Sequence, residues 1–327
     1  MLPLLYLRGL STGDFRPALR DLLGEEAAGL SPSAITRLTV AWQQEYEGWQ
    51  QRSLADRDYV YVWVDGVHFN IRLEEDPLAA LVVVGVRPDG SKEVVAVQDG
   101  YRESAETWLS LLRGLKARGM RAPVLAIGDG ALGFWNAKRQ VWPETKEQRC
   151  WFHKLGNVLD KLPKRLQASA KEELHAIIFA ATRAEAEAAM SRFATEHGTS
   201  HPAAVKCLNE DKEELLAFFG FPADHWKHLR TTNPIESSFA TARLRTRVTK
   251  GAGSRKAGLA MTFKLLMVAQ ETWRRIDGQE LVPLVRAGVH FVDGKPVERN
   301  DHPATAPASQ PTEQRINTKN KRRRTAA

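Results

Sequence analysis

Tyr59-Val-Tyr-Val-Trp-Val64, running straight into Asp65-Gly66, is the stretch that decides the fold. The run is β-branched and aromatic, which suits a buried strand. Asp-Gly after such a run reads as a turn that ends it. Residues 67–73 and 78–86 read as two more strands, so the region is expected to form a meander. Ser104 then caps a helix that carries Trp108, Leu111, Leu112 and Leu115 on one face, and Gly119 stops it. Residues 123–128 form a short, continuously apolar run, as a central strand does. It too ends on Asp-Gly, at Asp129-Gly130, and a fifth strand is expected just ahead of Cys150.

On the N-terminal side, residues 1–56 read as helical. Ser11 with Asp14 resembles a capping box, followed by Leu19, Leu22 and Leu23. Ser31-Pro32 opens a second helix with Ile35, Leu38 and Trp42 on one side. Two helices across a short turn fit a helix-turn-helix unit. They fit a plain helical hairpin equally well, because Arg37 is the one obvious phosphate ligand in the second helix. On the C-terminal side, residues 154–230 show only helical periodicity, with Leu174, Ile177, Ile178 and Ala181 on one face. Further helices are expected near Asn233 and over 257–275. Residues 295–327 are polar and Pro-rich, end in Lys319-Asn-Lys-Arg-Arg-Arg324, and read as a disordered basic tail.

The 327 residues carry 47 Lys and Arg against 39 Asp and Glu, a net charge of +8. That balance favours polyanionic partners without choosing among them. Two cysteines argue against a disulfide scaffold. No stretch is long and apolar enough for a membrane span and no leader is legible, so a cytoplasmic, nucleoid-associated protein with no membrane partner is expected.

Three acids stand at the ends of regular elements. Asp65 and Asp129 follow the two apolar runs. Glu236 lies in Thr231-Thr-Asn-Pro-Ile-Glu236, where Asn233 is expected to cap a helix and Pro234 to open it, making Glu236 the third helical residue. Any one of them alone is better explained as a turn residue or a helix-end charge. Three together suit hard divalent cations, and two such ions can activate an attacking oxygen and stabilise a leaving one on a phosphodiester. The two aspartates meet only if the first and fourth strands are neighbours, as in the strand-strand-strand-helix-strand order of a ribonuclease-H-like sheet.

At these residues the chain resembles the bacterial mutator-type insertion-sequence transposases. The resemblance rests on Val64-Asp-Gly-Val-His-Phe69, Ile127-Gly-Asp-Gly-Ala-Leu-Gly-Phe134, Arg149-Cys-Trp-Phe-His-Lys154 and Leu229-Arg-Thr-Thr-Asn-Pro-Ile-Glu-Ser238. It covers roughly residues 10 to 290. It implies an α/β, ribonuclease-H-like catalytic domain over 57–153 and 231–290, interrupted by an all-α insertion over 154–230. A helical DNA-binding segment over 1–56 precedes it, and family members carry more helical sequence ahead of that point, so part of this segment is expected to be missing. The implied catalytic and metal-binding triad is Asp65, Asp129 and Glu236, holding two Mg²⁺ or Mn²⁺ ions. The implied substrates are double-stranded transposon terminal inverted repeats and target DNA, processed by end cleavage and 3′-OH strand transfer in a homodimer or larger assembly.

Arg243 and Arg247 fall on the helical face of Glu236, and Arg245, Lys250, Arg255 and Lys256 follow without an acid. These, with His153, are the expected phosphate contacts. Cys150-Trp-Phe-His153 reads either as an ordered element beside the triad or as a packed strand-to-helix turn. A different reading pairs Cys150 and His153 with His225 and His228 as a Cys-His₃ zinc site. Trp135, Trp142 and Trp151 read as packing residues, any one of which would be able to stack on a flipped base. Two rival functions stay open: another ribonuclease-H-like nuclease, and a catalytically deficient DNA-binding remnant acting as a repressor.

Overall fold

A computed structural model describes residues 32–69, 78–100, 104–130, 132–236 and 254–297. The first expected helix around Ser11 and the basic tail beyond Val297 lie outside these residues.

Five strands form one mixed sheet: β1 (Tyr61–Phe69), β2 (Leu78–Val86), β3 (Lys92–Asp99), β4 (Leu125–Gly128) and β5 (Lys146–Arg149), in the order β3-β2-β1-β4-β5. β1, β2 and β3 make an antiparallel meander, while β4 runs parallel to β1 and β5 parallel to β4. The meander is therefore real, but two of its strands differ from expectation. Asp65-Gly66 does not end β1. The strand continues to Phe69 because Asp65 and Gly66 stay in register with Val82 and Leu81. The expected strand at 67–73 is thus the end of β1 as far as it is described. The third strand is Lys92–Asp99, whose apolar Val94-Val-Ala-Val97 centre is flanked by polar residues at both ends.

Helices cover both faces. α1 (Pro32–Gln50) begins at Pro32, as expected. α2 (Ala105–Ala117) is capped by Ser104 and buries Trp108, Leu111, Leu112 and Leu115. Gly119 follows it at φ +96°, where a side chain is disfavoured. α2 and α3 (Leu132–Val141) pack on Val62, Val64, Leu81, Val83 and Ala126. The other face, with Tyr61, Trp63, Val82 and Ile127, packs against α1, α10 (Arg255–Gln270) and a helical block. α1 is part of this core: the Trp49 ring packs tilted against Phe263 of α10 with centroids 4.9 Å apart, and Tyr46 Oη donates to Val97 O at 2.8 Å. With Arg52 donating to Val94 O and Val95 O, these side chains cover carbonyls of the edge strand β3 that would otherwise invite another strand.

The block comprises α4 (Trp151–Leu159), α5 (Lys164–Ile178), α6 (Arg183–His197), α7 (Pro202–Asn209), α8 (Lys212–Leu215), two 3₁₀ turns (Ala217–Gly220 and Ala223–His225) and α9 (Trp226–Leu229). It is all-helical, as its periodicity predicts. Aromatic hydrogen bonds tie it to the sheet: Trp63 Nε1 donates to His228 O at 3.0 Å, and Tyr61 Oη lies 2.7 Å from His225 Nδ1. After α10 come a 3₁₀ turn (Gln279–Leu281), α11 (Val282–Arg286) and a hairpin of β6 (His290–Val292) and β7 (Lys295–Val297). Regular structure therefore runs three residues into the stretch expected to be disordered. Among the described residues, no helix is long and apolar enough to cross a membrane.

Candidate active site

The sheet register brings the two aspartates together. Val64 on β1 faces Gly128 on β4 in a parallel pair, so Asp65 and Asp129 come next on neighbouring strands. Neighbouring strands lie about 4.8 Å apart. Each aspartate accepts the amide of the glycine after it: Gly66 N to Asp65 Oδ1 at 2.8 Å and Gly130 N to Asp129 Oδ1 at 2.5 Å. Trp135 Nε1 donates to Asp129 O at 2.9 Å, which fixes the main chain beneath the carboxylate. Gly128 permits this, because a Cβ there would lie 2.9 Å from Val64 and 3.2 Å from the Trp135 ring.

The turn from β5 into α4 brings up the third acid. Cys150 is fully buried at the N-cap of α4, and its amide donates to Gly128 O at 2.8 Å. Its Sγ accepts from Thr232 N at 3.3 Å and lies 3.3 Å from Thr232 Oγ1. Thr232 Oγ1 is hydrogen-bonded to Glu236 Oε1. Residues 233–236 are helical, with Ile235 N and Glu236 N both donating to Thr232 O. Thr232 therefore precedes the turn in place of Asn233, and Glu236 is its fourth residue. His153 stands between the acids, with Nδ1 3.9 Å from Asp129 Oδ1 and Nε2 4.0 Å from Glu236 Oε1. A hydrogen bond with Cys150, reinforced by Asp129 and Glu236, raises its pKa to about 9 against the opposing effect of burial. Burial would push the Cys150 thiol up, but hydrogen bonds with His153 and Thr232 outweigh it and hold the pKa below the ordinary value.

Asp65, Asp129, Glu236, His68 and His153 line a single cavity of about 420 Å³, walled by Trp108, Phe134 and Phe152. The structure thus unites the three expected carboxylates and His153. It does not bring Arg255 and Lys256 to them. Arg255 forms a two-pronged pair with Asp99, at 2.9 Å through both Nε and Nη2, and Lys256 lines a separate cavity beside α1. Arg243, Arg245, Arg247 and Lys250 lie outside the described residues. Trp135, Trp142 and Trp151 are all buried, whereas Phe152 at the cavity wall is 58% exposed.

The Cys-His₃ zinc reading is corrected. His225 Nδ1 is engaged with Tyr61 Oη and its Nε2 lies 2.9 Å from Gly278 O, while His228 Nε2 accepts Asp277 N. Both ring nitrogens of His225 and the Nε2 of His228 are thus engaged, and among the described residues neither ring joins Cys150 and His153 in a metal-ligating group.

Arg149 is the main residue that sequence reasoning missed. It is buried, with Nη1 2.7 Å from Asp129 Oδ1 and Nε 3.3 Å from Asp211 Oδ2 ahead of α8. Lys154, also buried, reaches the same Asp211 oxygen at 2.5 Å. The one signal for Arg149 was its place in the stretch that carries the resemblance.

The donor set fits a hard cation. Cys150, His153 and Glu236 offer ligand atoms within 4.8 Å of one another, but the thiol is buried and hydrogen-bonded to Thr232. The ligands that face the cavity are mostly carboxylate oxygens, which suit Mg²⁺ or Mn²⁺ better than zinc.

A family model described as "Transposase, Mutator family" matches residues 1–275. The transposase for insertion sequence element IS6120 of Mycolicibacterium smegmatis is 55% identical over 310 residues, covering 94% of this chain and 96% of its own length. The transposase for insertion sequence element IST2 of Acidithiobacillus ferrooxidans is 48% identical over 288 residues, covering 85% and 95%. The transposase for insertion sequence element ISRM5 of Rhizobium meliloti (strain 1021) is 28% identical over 271 residues, covering 82% and 67%.

Proposed function

The chain belongs to the Mutator family of transposases, and we propose that it cuts and joins DNA with Asp65, Asp129 and Glu236 as a metal-binding DDE triad. One observation carries the reading: three acids from β1, β4 and the turn after the helical block share one cavity. The sheet order with β1 beside β4 supports a ribonuclease-H-like catalytic domain over 57–153 and 231–290, with 154–230 as its insertion and 1–56 as the DNA-binding segment.

Asp65, Asp129 and Glu236 would hold two Mg²⁺ or Mn²⁺ ions, which activate the attacking oxygen and neutralise charge on the phosphate. The chain's own residues keep this set in place. Strand register fixes Asp65 and Asp129, Thr232 orients Glu236, and Arg149 braces Asp129. His153, between two of the acids, is within reach of a phosphate oxygen. In strand transfer the 3′-oxygen of the transposon end forms a bond to a target phosphorus while the target's own 3′-oxygen leaves with the electron pair. No protein nucleophile is required. The substrates are the terminal inverted repeats and target DNA, and the synapsis of two ends implies at least a dimer.

The test is joining of a pre-cleaved terminal-repeat duplex to a plasmid target in Mg²⁺. Joined product from a 3′-OH end and none from a 3′-deoxy end is expected. Hydrolysis without joining would make the protein a nuclease, and end binding without either reaction would make it a repressor.

A further inference from the structure

Arg230 is a half-buried arginine with no hydrogen-bond acceptor among the described residues. Arg52 and Arg149 also leave a buried Nε without a hydrogen bond, but the other arginines held against the core find acceptors elsewhere on the guanidinium: Arg52 at the Trp49, Val94 and Val95 carbonyls, Arg149 beside two aspartates, Arg286 at Asp58 and Ala122 O. The Arg230 guanidinium instead sits among three rings, 4.7 Å from the Phe218 centroid and 5.4 Å from those of Phe179 and Trp226. Its Nε is buried without a hydrogen-bond partner, and among the described residues no carboxylate pairs with it. The rings hold the plane still and strip water from it, yet leave its charge unanswered. Burial lowers the pKa to about 10, so the group is still a cation at neutral pH.

The cage is also open. Phe179, one of its walls, is 67% exposed, the most of any large apolar side chain among the described residues. Its place in the fold ties it to the carboxylate cavity. Arg230 O accepts Trp151 N at 2.8 Å, one residue before Phe152 of the cavity wall, and Thr232, two residues on, bonds Glu236. Two extended residues reach about 7 Å at most. The main chain of Arg230 is therefore held next to two residues of the cavity, Phe152 and Glu236.

We propose that Arg230, fixed by Phe179, Phe218 and Trp226, is a phosphate-binding site for the DNA strand flanking the reacting bond. The inference rests on the DNA-acting reading above. A planar guanidinium with free donors suits a phosphate's oxygens, and preorganisation by the rings means little further ordering on binding. An aromatic surface beside a cation is also the pairing that nucleic-acid strands use.

The experiment measures binding of a terminal-repeat duplex by fluorescence anisotropy across a KCl series, without divalent metal. It uses wild type, Arg230→Met, which keeps apolar bulk, and Arg230→Lys, which keeps the charge. A second set of duplexes carries one neutral methylphosphonate at successive positions beside the cleavage site. Arg230→Met should weaken binding about tenfold at low salt and lower the slope of log K against log salt by about 0.9, the share of one phosphate contact. Arg230→Lys should keep the slope. One methylphosphonate position should cost the wild type affinity and cost Arg230→Met nothing, a coupling that general loosening of the cage would not produce. If Arg230→Met fails to melt cooperatively, that coupling is read with Arg230→Lys, which should respond less than wild type at the same position. Wild-type slope and coupling in Arg230→Met, or wild-type coupling in Arg230→Lys, overturn this site alone. Failure of the wild type to bind DNA at all overturns it together with the reading it rests on.

Discussion

The buried guanidinium of Arg149 lies 2.7 Å from Asp129 Oδ1, so one acid of the proposed triad is braced by a cation from the neighbouring strand. Arg149 also reaches Asp211 at 3.3 Å, which links the acid to the start of α8 in the helical block. Arg149→Ala leaves Asp129 and Asp211 without their shared partner. Because Asp129 is partly solvated, the cost in stability should be about 1–3 kcal/mol by urea denaturation. End cleavage should fall at least about tenfold with a higher Mg²⁺ requirement. Gly130 offers an independent check. A Cβ there would lie 2.1 Å from the Arg149 guanidinium, so Gly130→Ala must displace that group and reproduce the activity loss. Wild-type cleavage by Gly130→Ala would remove Arg149 from the account.

Thr232 Oγ1 connects Cys150 to Glu236. Thr232→Val keeps the shape and deletes the hydroxyl. Cleavage should drop about tenfold, the scale of one misoriented catalytic group, and Thr232→Ser should restore most of it. Equal rates for Val and Ser would mean that the hydroxyl does not orient Glu236.

His228 gives a pH signature away from the acids. Burial, with help from Lys92, lowers its pKa to about 4. The folded ring is thus neutral, while in the unfolded chain it protonates near 6.5. Its contribution to stability is complete above about pH 6.5 and is lost as pH falls from there towards 4. His228→Gln retains an acceptor for Asp277 N and removes the titration. Chemical denaturation at pH 7 and pH 5 should show a smaller loss for the variant than for wild type. An equal loss would mean that His228 is not held neutral.

Chelation separates the two metal readings. With both nitrogens of His225 and the Nε2 of His228 already engaged, no structural zinc is expected. Purified protein should contain no stoichiometric zinc by elemental analysis, and EDTA should leave its melting temperature unchanged while abolishing cleavage. A chelator-induced loss of several degrees would restore a structural metal.

Much of this was legible in the sequence, and the failures have physical causes. Periodicity revealed α2, β4 and the helical block because each is buried on a regular face. Asp65-Gly66 misled because Asp-Gly is turn chemistry, whereas pairing with Val82 and Leu81 carries β1 through it. β3 escaped notice because its apolar core is only four residues, Val94 to Val97, between polar ends. That Asp65, Asp129 and Glu236 would share one cavity was readable because each stands at a recognisable element's end or start. Arg149 and Arg230 were not, because what distinguishes them is their surroundings: two carboxylates for one and three rings for the other.

The central claim is that Asp65, Asp129 and Glu236 act as one metal-dependent centre. Its most direct test is cleavage and joining of terminal-repeat DNA by wild type and Glu236→Gln in Mg²⁺, with DNA binding measured in parallel. Glu236→Gln should bind the ends as wild type does and form no cleaved or joined product above about one part in a thousand of the wild-type rate. Joining by Glu236→Gln at the wild-type rate would contradict the account.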